Sequence, residues 1–186
     1  MRIIGGKLSG QRFEPPKNIP TRPTTDYAKQ GLFNMLSHYY NFENIKALDL
    51  FGGTGSIAYE FASRGCMDVT TVEIFPRCAA FIRQTARRFN LTQIHVIQTD
   101  VFQFIANTPD KYDVIFAGPP YPLPNLRHLP DLIFERNLLL GEGWFILEHN
   151  PQYAFDTHAH FYKSRHYGTT IFSIFTNNTV QQITGG

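Results

Sequence analysis

The chain has few of the features that would place a protein in a membrane or an oxidising compartment. Its 186 residues include two cysteines, Cys66 and Cys78, whose spacing matches neither a metal site nor a redox motif. No apolar run reaches the roughly 18 residues that cross a bilayer. The opening residues, 1–7, contain no apolar segment of the signal-peptide kind. We therefore expect a reduced, cytoplasmic protein with no bound metal and no membrane partner.

Charged residues are also scarce, at 17% of the chain, and they are unevenly distributed. Residues 1–30 carry six basic and two acidic side chains, a net charge of +4, so the remaining 156 residues sum to −2 within the total of +2. This basic segment is either an arm that contacts phosphates or a solvated edge, and charge alone leaves both open. Apolar residues make up 42% of the chain, which suits one globular domain with a core. A monomer is the default expectation.

Strand-like runs alternate with helical patterns along most of the chain. The predicted strands are 47–51, 69–73, 94–98, 112–117, 144–148, 160–166 and 170–175. The predicted helices begin at 25 or 26, 56, 78, 101 and 129. The pattern predicts an α/β fold with a mainly parallel seven-stranded sheet and an antiparallel C-terminal hairpin. We expect the chain to divide into a basic N-terminal extension with a small hairpin (1–24), a core (25–176) and a polar tail (177–186).

Two finer expectations follow from local patterns. The first helix should turn one apolar face toward the core because its apolar residues recur at helical spacing. The residues of that face are Ala28, Leu32, Met35, Leu36 and Tyr39. The glycines at 141 and 143 predict a turn immediately before the fifth strand.

A glycine loop and acidic residues end the first three core strands. Gly53 and Gly55 let the backbone approach a ligand, Glu73 is placed to accept both hydroxyls of a ribose, and Asp100 to accept an adenine amine. The predicted cofactor contacts are Asp49, Phe51, Gly53, Gly55, Glu73, Ile74, Asp100 and Val101. The spacing also fits the dinucleotide fingerprint, and each acid has the alternative role of capping a helix. Asp49, placed to bind an ammonium group, favours S-adenosylmethionine over a nicotinamide cofactor.

The tetrapeptide Gly118-Pro119-Pro120-Tyr121 follows the fourth core strand and predicts a catalytic loop. The two prolines restrict the backbone and leave carbonyl groups with no adjacent N–H. Tyr121 adds a flat ring beside them. This combination suits a planar base with an exocyclic amine, although Asp, Asn or Ser would be expected at position 118. The four residues are the predicted catalytic site.

Together these motifs resemble the RsmD family of bacterial small-subunit ribosomal RNA guanine-N2 methyltransferases, over about residues 1–176. The matching segments are Met1–Lys7, Thr21–Thr24 with Asp26, Leu32–Asn34, Asp49–Gly55, Glu73, Asp100, Pro119–Tyr121, Glu148–His149 and Tyr167–Gly168. The resemblance implies a Rossmann-like class I methyltransferase that uses S-adenosylmethionine to methylate one guanine of 16S rRNA, on the small ribosomal subunit or its assembly intermediate.

The resemblance also implies roles for individual residues. Gly53, Gly55, Glu73 and Asp100 would bind the cofactor, and Pro119 and Tyr121 would hold a guanine flipped out of its stack. The residues implied to contact RNA are Arg22 and Thr24, together with Lys7 and Arg12 of the basic extension. The chain departs from the family at Gly118, where the family has Asp, and at Gly52, where alanine is common.

Gly118 removes one acceptor for the target amine, a loss that typically costs about 10²–10³ in rate. Three interpretations remain open: a sequence or cloning change of a normal Asp, a slow or inactive relative that still binds cofactor and RNA, or a water molecule as the second acceptor. Other functions also stay open. They are a methylase of another amine, a non-catalytic RNA-binding or assembly factor, and a nicotinamide oxidoreductase.

Several polar residues outside these motifs have simpler interpretations. His158 and His160 lack further ligands at metal spacing and are expected to be exposed on a surface strand. Arg83, Arg87 and Arg88 form a basic helix face that is more often solvated than bound to RNA. His149 either contacts substrate or caps a loop, and the sequence leaves both roles open.

Overall fold

The computed structural model describes residues 1–179 and shows a seven-stranded sheet in the order β3-β2-β1-β4-β5-β7-β6. The strands are β1 (Lys46–Asp49), β2 (Asp68–Val72), β3 (Ile94–Ile97), β4 (Tyr112–Ala117), β5 (Leu139–His149), β6 (Phe161–Tyr167) and β7 (Thr170–Thr176). The first five strands run parallel, and β7 pairs antiparallel with both β5 and β6. The predicted α/β architecture is therefore confirmed. Residues 180–186 of the predicted polar tail lie outside the described residues.

Five helices cover the two faces of the sheet. They are α1 (Asp26–Tyr39), α2 (Ser56–Ser63), α3 (Pro76–Arg88), α4 (Val101–Asn107) and α5 (Leu129–Glu135). The first three share one apolar core with the N-terminal residues, and α4 and α5 pack into a second core on the opposite face. Successive strand residues point to opposite faces, so Ala47 joins the first core and Leu48 the second.

Helix α1 begins where the sequence predicts. Thr25 is the N-cap, and its hydroxyl accepts a hydrogen bond from the Ala28 amide at 3.2 Å. The predicted inward face is wrong at Tyr39, the last residue of the helix, which is 55% exposed. Its ring lies against Trp144 at 4.5 Å between centroids, on the surface and outside the core, because the helix ends there.

The predicted turn at residues 141–143 is also wrong. Strand β5 continues through both glycines from Leu139 to His149. Its pairing with β4 shifts between Tyr112 and Val114, which accommodates the irregular stretch. The side-chain amide of Asn177 donates to the carbonyls of Leu140 and Gly141 at 3.0 Å each. This long-range contact holds the start of the strand in extended form, and local glycine content does not reveal it.

The N-terminal residues pack into the molecule. The predicted hairpin exists as a single antiparallel bridge between Arg2 and Arg12, with Ile3 and Phe13 buried in the first core. The carboxylate of Glu60 in α2 accepts the backbone amide of Ile4 at 2.6 Å. This attachment to α2 brings the following residues, 14–24, past the carboxyl ends of the strands.

Two kinds of feature are absent from residues 1–179: a membrane-spanning helix and a cluster of metal-binding side chains. No helix in this part of the chain has the length and apolar character needed to cross a membrane. The same residues contain no cluster of three or more His, Cys, Asp or Glu side chains able to hold a metal ion.

Candidate active site

A cleft of about 270 Å³ opens at the carboxyl ends of β1, β2, β3 and β4. It lies where the strand order reverses between β1 and β4, the position at which open α/β sheets bind their ligands. The predicted residues that line the cleft are Phe51, Gly53, Glu73, Ile74, Asp100, Val101, Gly118, Pro119, Pro120, Arg22 and Thr24. The parallel arrangement of the strands therefore gathers side chains that are up to about a hundred positions apart in the sequence.

Two glycines in the loop after β1 have left-handed backbone conformations. Gly53 has φ of +54° and its amide donates to Glu73 at 2.7 Å. Gly55, with φ of +82°, precedes the first residue of α2, and a Cβ there would collide with the Tyr59 ring. Gly53 lines the cleft, whereas Gly55 does not. The first glycine thus leaves room for a ligand and the second leaves room for a packed helix.

Glu73 and Asp100 line the cleft and also accept hydrogen bonds from backbone amides. Glu73 accepts the amides of Gly53 and Phe75, each at 2.7 Å, through its two different oxygens. Asp100 is the N-cap of α4 and accepts the Gln103 amide at 3.1 Å. The helix-capping alternative is therefore met for Asp100 and not for Glu73, and it does not exclude ligand binding, since a carboxylate oxygen can accept more than one hydrogen bond.

Asp49 lies at the end of β1, behind the glycine loop, and does not line the cleft. Its side chain is buried, with 1% of the residue exposed. The Thr71 hydroxyl donates to Oδ2 at a long 3.4 Å, while Oδ1 has no hydrogen-bond partner among the described residues. Burial raises the pKa of this carboxyl to about 7. An unpaired buried acceptor is costly, and a cationic ligand beside it would relieve that cost.

The walls of the cleft near Glu73 are apolar and accessible. Ile74 is 51% exposed and Phe75 is 45% exposed, and both line the cleft with Val101 and Phe102. Exposed apolar side chains beside two carboxylates fit a flat heterocycle joined to a sugar. The unpaired Oδ1 of Asp49 adds an acceptor for a cationic group. These observations fit a nucleoside cofactor with an ammonium end.

The loop after β4 contributes three of its four predicted catalytic residues to the cleft. Gly118, Pro119 and Pro120 line it, whereas Tyr121 does not. The Arg22 guanidinium lies over the Tyr121 ring, 4.4 Å from its centroid. The Tyr121 hydroxyl is buried and forms no hydrogen bond within residues 1–179. The aromatic face that should hold a base is thus covered by an arginine in this structure.

The segment from Pro20 to Thr24 forms one wall of the cleft, and sequence reasoning identified only its Arg22 and Thr24. Thr21 lies 3.4 Å from the point where a Cβ on Gly53 would sit. The Thr24 hydroxyl donates to Glu148 at 2.6 Å, which ties the segment to the end of β5. Two prolines and two threonines in five residues were the available signal, but an extended segment carries no periodicity that reveals what it packs against.

The two remaining basic residues predicted to contact RNA lie away from the cleft. Lys7 belongs to a short 3₁₀ turn beside the C-terminal end of α2, where the neighbouring Leu8 amide donates to Ser63. Arg12 lies beside the C-terminal end of α3, and its carbonyl accepts from Arg88 at 3.3 Å. Helices in such folds run back from the carboxyl ends of the strands, so both residues lie toward the opposite edge. Their contact with RNA stays a prediction.

The structure also places the histidines. His149 is buried, with its two ring nitrogens hydrogen-bonded to the Asn150 carbonyl and the Ser173 hydroxyl at 2.8 Å each. Its imidazole is thereby engaged in the fold and does not line the cleft. His158 contacts Asp131 at 3.1 Å, and His160 stacks on Phe134 at 3.9 Å between centroids. Both histidines lie in the turn before β6 and are only partly exposed, so the predicted exposed surface strand is wrong, because these contacts pack the two rings against α5.

Comparison with known proteins gives consistent results. A family model described as conserved hypothetical protein 95 matches residues 1–176. Ribosomal RNA small subunit methyltransferase D of Buchnera aphidicola subsp. Baizongia pistaciae is 30% identical over 151 residues, which cover 80% of this chain and 75% of that protein. The protein of the same name from Escherichia coli strain K12 is 25% identical over 148 residues, or 80% of this chain and 74% of that protein.

Solved structures share the fold. A hypothetical protein from Thermus thermophilus matches with a TM-score of 0.84 and 25% identity, over 95% of this chain and 99% of that chain. An RNA methyltransferase from Salinibacter ruber, solved with S-adenosyl-L-homocysteine, matches with a TM-score of 0.66 and 17% identity, over 84% of this chain and 94% of that chain. Its likeness shows the same Rossmann-like architecture.

Proposed function

This chain belongs to the family of conserved hypothetical protein 95, the RsmD family, and from that premise we propose that it transfers a methyl group from S-adenosylmethionine to the exocyclic N2 of a guanine in 16S rRNA. One observation carries the proposal. The residues expected to bind a nucleoside cofactor and the loop Gly118–Pro120 line the same cleft. A small ribosomal subunit, or its assembly intermediate in the cytoplasm, is the proposed substrate, and the protein acts as a monomer.

The residues present fit S-adenosylmethionine. Glu73 would accept the ribose hydroxyls, and Asp100 would accept the adenine amine beside the Val101 amide. Ile74 and Phe75 would flank the adenine ring, and the unpaired Oδ1 of Asp49 would face the ammonium group. When bound, the cofactor supplies an electrophilic methyl group attached to a positively charged sulfur. The protein contributes by positioning the cofactor and the target base.

Holding the base is the task of the loop after β4. An exocyclic guanine amine is a weak nucleophile because its lone pair is delocalised into the ring. The Pro119 carbonyl accepts one N–H bond and so favours the more tetrahedral nitrogen of the transition state. A flipped guanine would stack on Tyr121 in the place that Arg22 holds over that ring. Arg22 thereby keeps the aromatic face covered until RNA arrives.

A second candidate function is a weakly active or inactive relative that binds cofactor and RNA. Gly118 is the observation that favours it, because no side-chain acceptor stands at the position where the family has a carboxylate. A methylase of another amine would use the same cleft. A nicotinamide oxidoreductase has less support, because the Pro-Pro loop gives it no acid or base for hydride transfer.

Methyl transfer from labelled S-adenosylmethionine to undermethylated small ribosomal subunits tests the proposal. We expect the wild-type protein to label 16S rRNA, with N2-methylguanosine as the product identified by mass spectrometry of the digested RNA. The Gly118→Asp variant, assayed in parallel, separates the candidates. Labelling by the variant alone would indicate a disabled enzyme, and labelling by neither protein would exclude the proposed substrate.

A further inference from the structure

Glu148 lies beside Gly118 at the carboxyl ends of two adjacent parallel strands. Ala117 pairs with Leu147, so the next residue of each chain segment, Gly118 and Glu148, are lateral neighbours. A Cβ at position 118 would lie 3.6 Å from Oε2 of Glu148. The absence of a side chain at 118 therefore leaves the glutamate carboxylate as the nearest acid behind the catalytic loop.

The Glu148 carboxylate is buried and accepts a hydrogen bond from the wall of the cleft. The residue is 6% exposed, and within residues 1–179 it forms no salt bridge. The Thr24 hydroxyl donates a hydrogen bond to its Oε2 at 2.6 Å. Arg22 and Tyr121 also act on this carboxylate, and because a carboxylate can accept several hydrogen bonds, acceptor capacity remains. Thr24 lines the cleft and Glu148 does not, so this contact places Glu148 directly behind the cleft wall.

The structure assigns to Glu148 the acceptor role that residue 118 lacks: we propose that its carboxylate, reached through the space above Gly118, accepts a hydrogen bond and then a proton from the target amine. This inference rests on the proposed function. As the nitrogen lone pair bonds to the methyl carbon, the carbon–sulfur bond breaks and its electron pair stays on sulfur. One N2 proton passes to Glu148 and from there to solvent, which leaves a neutral methylated amine.

In the proposed role, Glu148 acts where residue 118 has no side chain. The family pattern has Asp at 118 and also matches at Glu148, so the glycine leaves one acid where the family has two. A Cβ at position 118 would also approach the Phe116 ring to 3.1 Å. One acid at this position is sufficient for one leaving proton. In the proposed role, Glu148 thus takes over from the acid that is missing at 118.

The titratable groups that face Glu148 come from three elements. They are Arg22 in the wall segment, Tyr121 after β4, and Asp49 at the end of β1. Burial raises the pKa of Glu148, and the Thr24 hydroxyl, Arg22 and Tyr121 lower it in part. A carboxylate that binds protons more tightly than usual is a better acceptor near neutral pH.

A double-mutant experiment on small subunits tests this role. Glu148→Gln should lower kcat by about 10²-fold and leave the KM for subunits and the affinity for S-adenosylhomocysteine unchanged. Adding Gly118→Asp to Glu148→Gln should recover at least about tenfold, because an acid again faces the amine. Thr24→Val tests the positioning of Glu148. It removes the hydrogen bond that holds Glu148, so Gly118→Asp should recover part of any loss in kcat that it causes.

A binding measurement provides a readout that does not depend on turnover. With S-adenosylhomocysteine present, ligand-observed NMR should show that wild-type protein prefers guanosine monophosphate over inosine monophosphate, which lacks the N2 amine, by about tenfold. Glu148→Gln should lose most of this preference. Wild-type kcat in Glu148→Gln, no rescue by Gly118→Asp, or equal affinity of the wild-type protein for the two nucleotides would overturn the inference. If neither wild type nor Gly118→Asp labels the subunits, the proposed function fails, and the nucleotide preference alone decides the role of Glu148.

Discussion

Asp49 shows how a single buried residue behind the glycine loop is prepared for a charged ligand. Its carboxyl lies at the end of β1 with one oxygen unpaired, and burial raises its pKa to about 7, from an ordinary value of 3.8. The nearby charges of Glu73 and Glu148 raise it further, whereas hydrogen bonds from the Phe51 amide and Thr71 lower it. The free protein therefore stores an unfavourable interaction that an ammonium group would remove.

The stability of the free protein should depend on pH through Asp49. A folded-state pKa above the unfolded value means that this group stabilises the fold below about pH 4, and that this contribution is lost as the pH rises through about 7. We expect the melting temperature of the wild type to fall relative to Asp49→Asn between pH 5 and about 8. S-adenosylhomocysteine, which carries an ammonium group, should reduce the difference. Parallel melting profiles for the two proteins would show that Asp49 titrates normally.

At the scale of elements, a buried ion pair joins α1, α2 and the N-terminal residues. Lys29 and Glu60 lie 3.2 Å apart with almost no exposed surface. The Lys29 ammonium also donates to the Arg2 carbonyl and the Ser56 hydroxyl, at 2.7 and 2.9 Å. Burial lowers the pKa of Lys29, and Glu60 opposes this shift. The pair therefore attaches the N-terminal segment to the helix that follows the glycine loop.

Breaking this pair should destabilise the protein far more than breaking an exposed pair of equal length. Glu60→Gln leaves Lys29 buried without its main counterion, and such a loss costs about 3–5 kcal/mol. Lys46 and Asp110, also 3.2 Å apart but on the surface, provide the matched control. Asp110→Asn should cost no more than about 1 kcal/mol. Urea unfolding of the three proteins measures both values, and similar losses would contradict the role of burial.

At the scale of the whole molecule, the cleft draws on residues from four strand ends and from the N-terminal segment. The segment 20–24 is held at one end by the Thr25 cap of α1 and at Thr24 by Glu148. A ligand in the cleft would contact both this segment and the loops after β1, β2 and β4. Binding is therefore coupled to the stability of the entire fold.

A cofactor product should stabilise the intact protein more than a nicotinamide nucleotide. At a hundredfold excess over its Kd, a ligand that binds only the folded state adds about 2.7 kcal/mol. For a domain of this size we expect S-adenosylhomocysteine to raise Tm by roughly 5–10 °C in thermal unfolding. NAD at the same concentration should produce little shift, and Glu73→Ala should weaken the effect of S-adenosylhomocysteine. A larger shift with NAD would favour an oxidoreductase.

Local patterns were informative wherever neighbouring residues decide the structure. The N-cap at Thr25, the bounds of α2 and the alternation of strands with helices follow from spacing and capping, which act within a few residues. The turn predicted at 141–143 failed because Asn177, more than thirty positions away, supports an extended backbone there. The surface position of the Tyr39 ring, against Trp144, likewise involves a residue of another element.

The sequence by itself determined the fold class and which motif residues meet at one edge of the sheet, because parallel strands must place their carboxyl ends together and motif residues follow those ends directly. Only the tertiary structure decided that Lys29 is buried, that Arg22 covers Tyr121, and that Glu148 stands behind Gly118. These contacts join residues 30 to about 100 positions apart, and they depend on strand register and side-chain packing. No local pattern encodes such distances, because packing selects them after the sheet has formed.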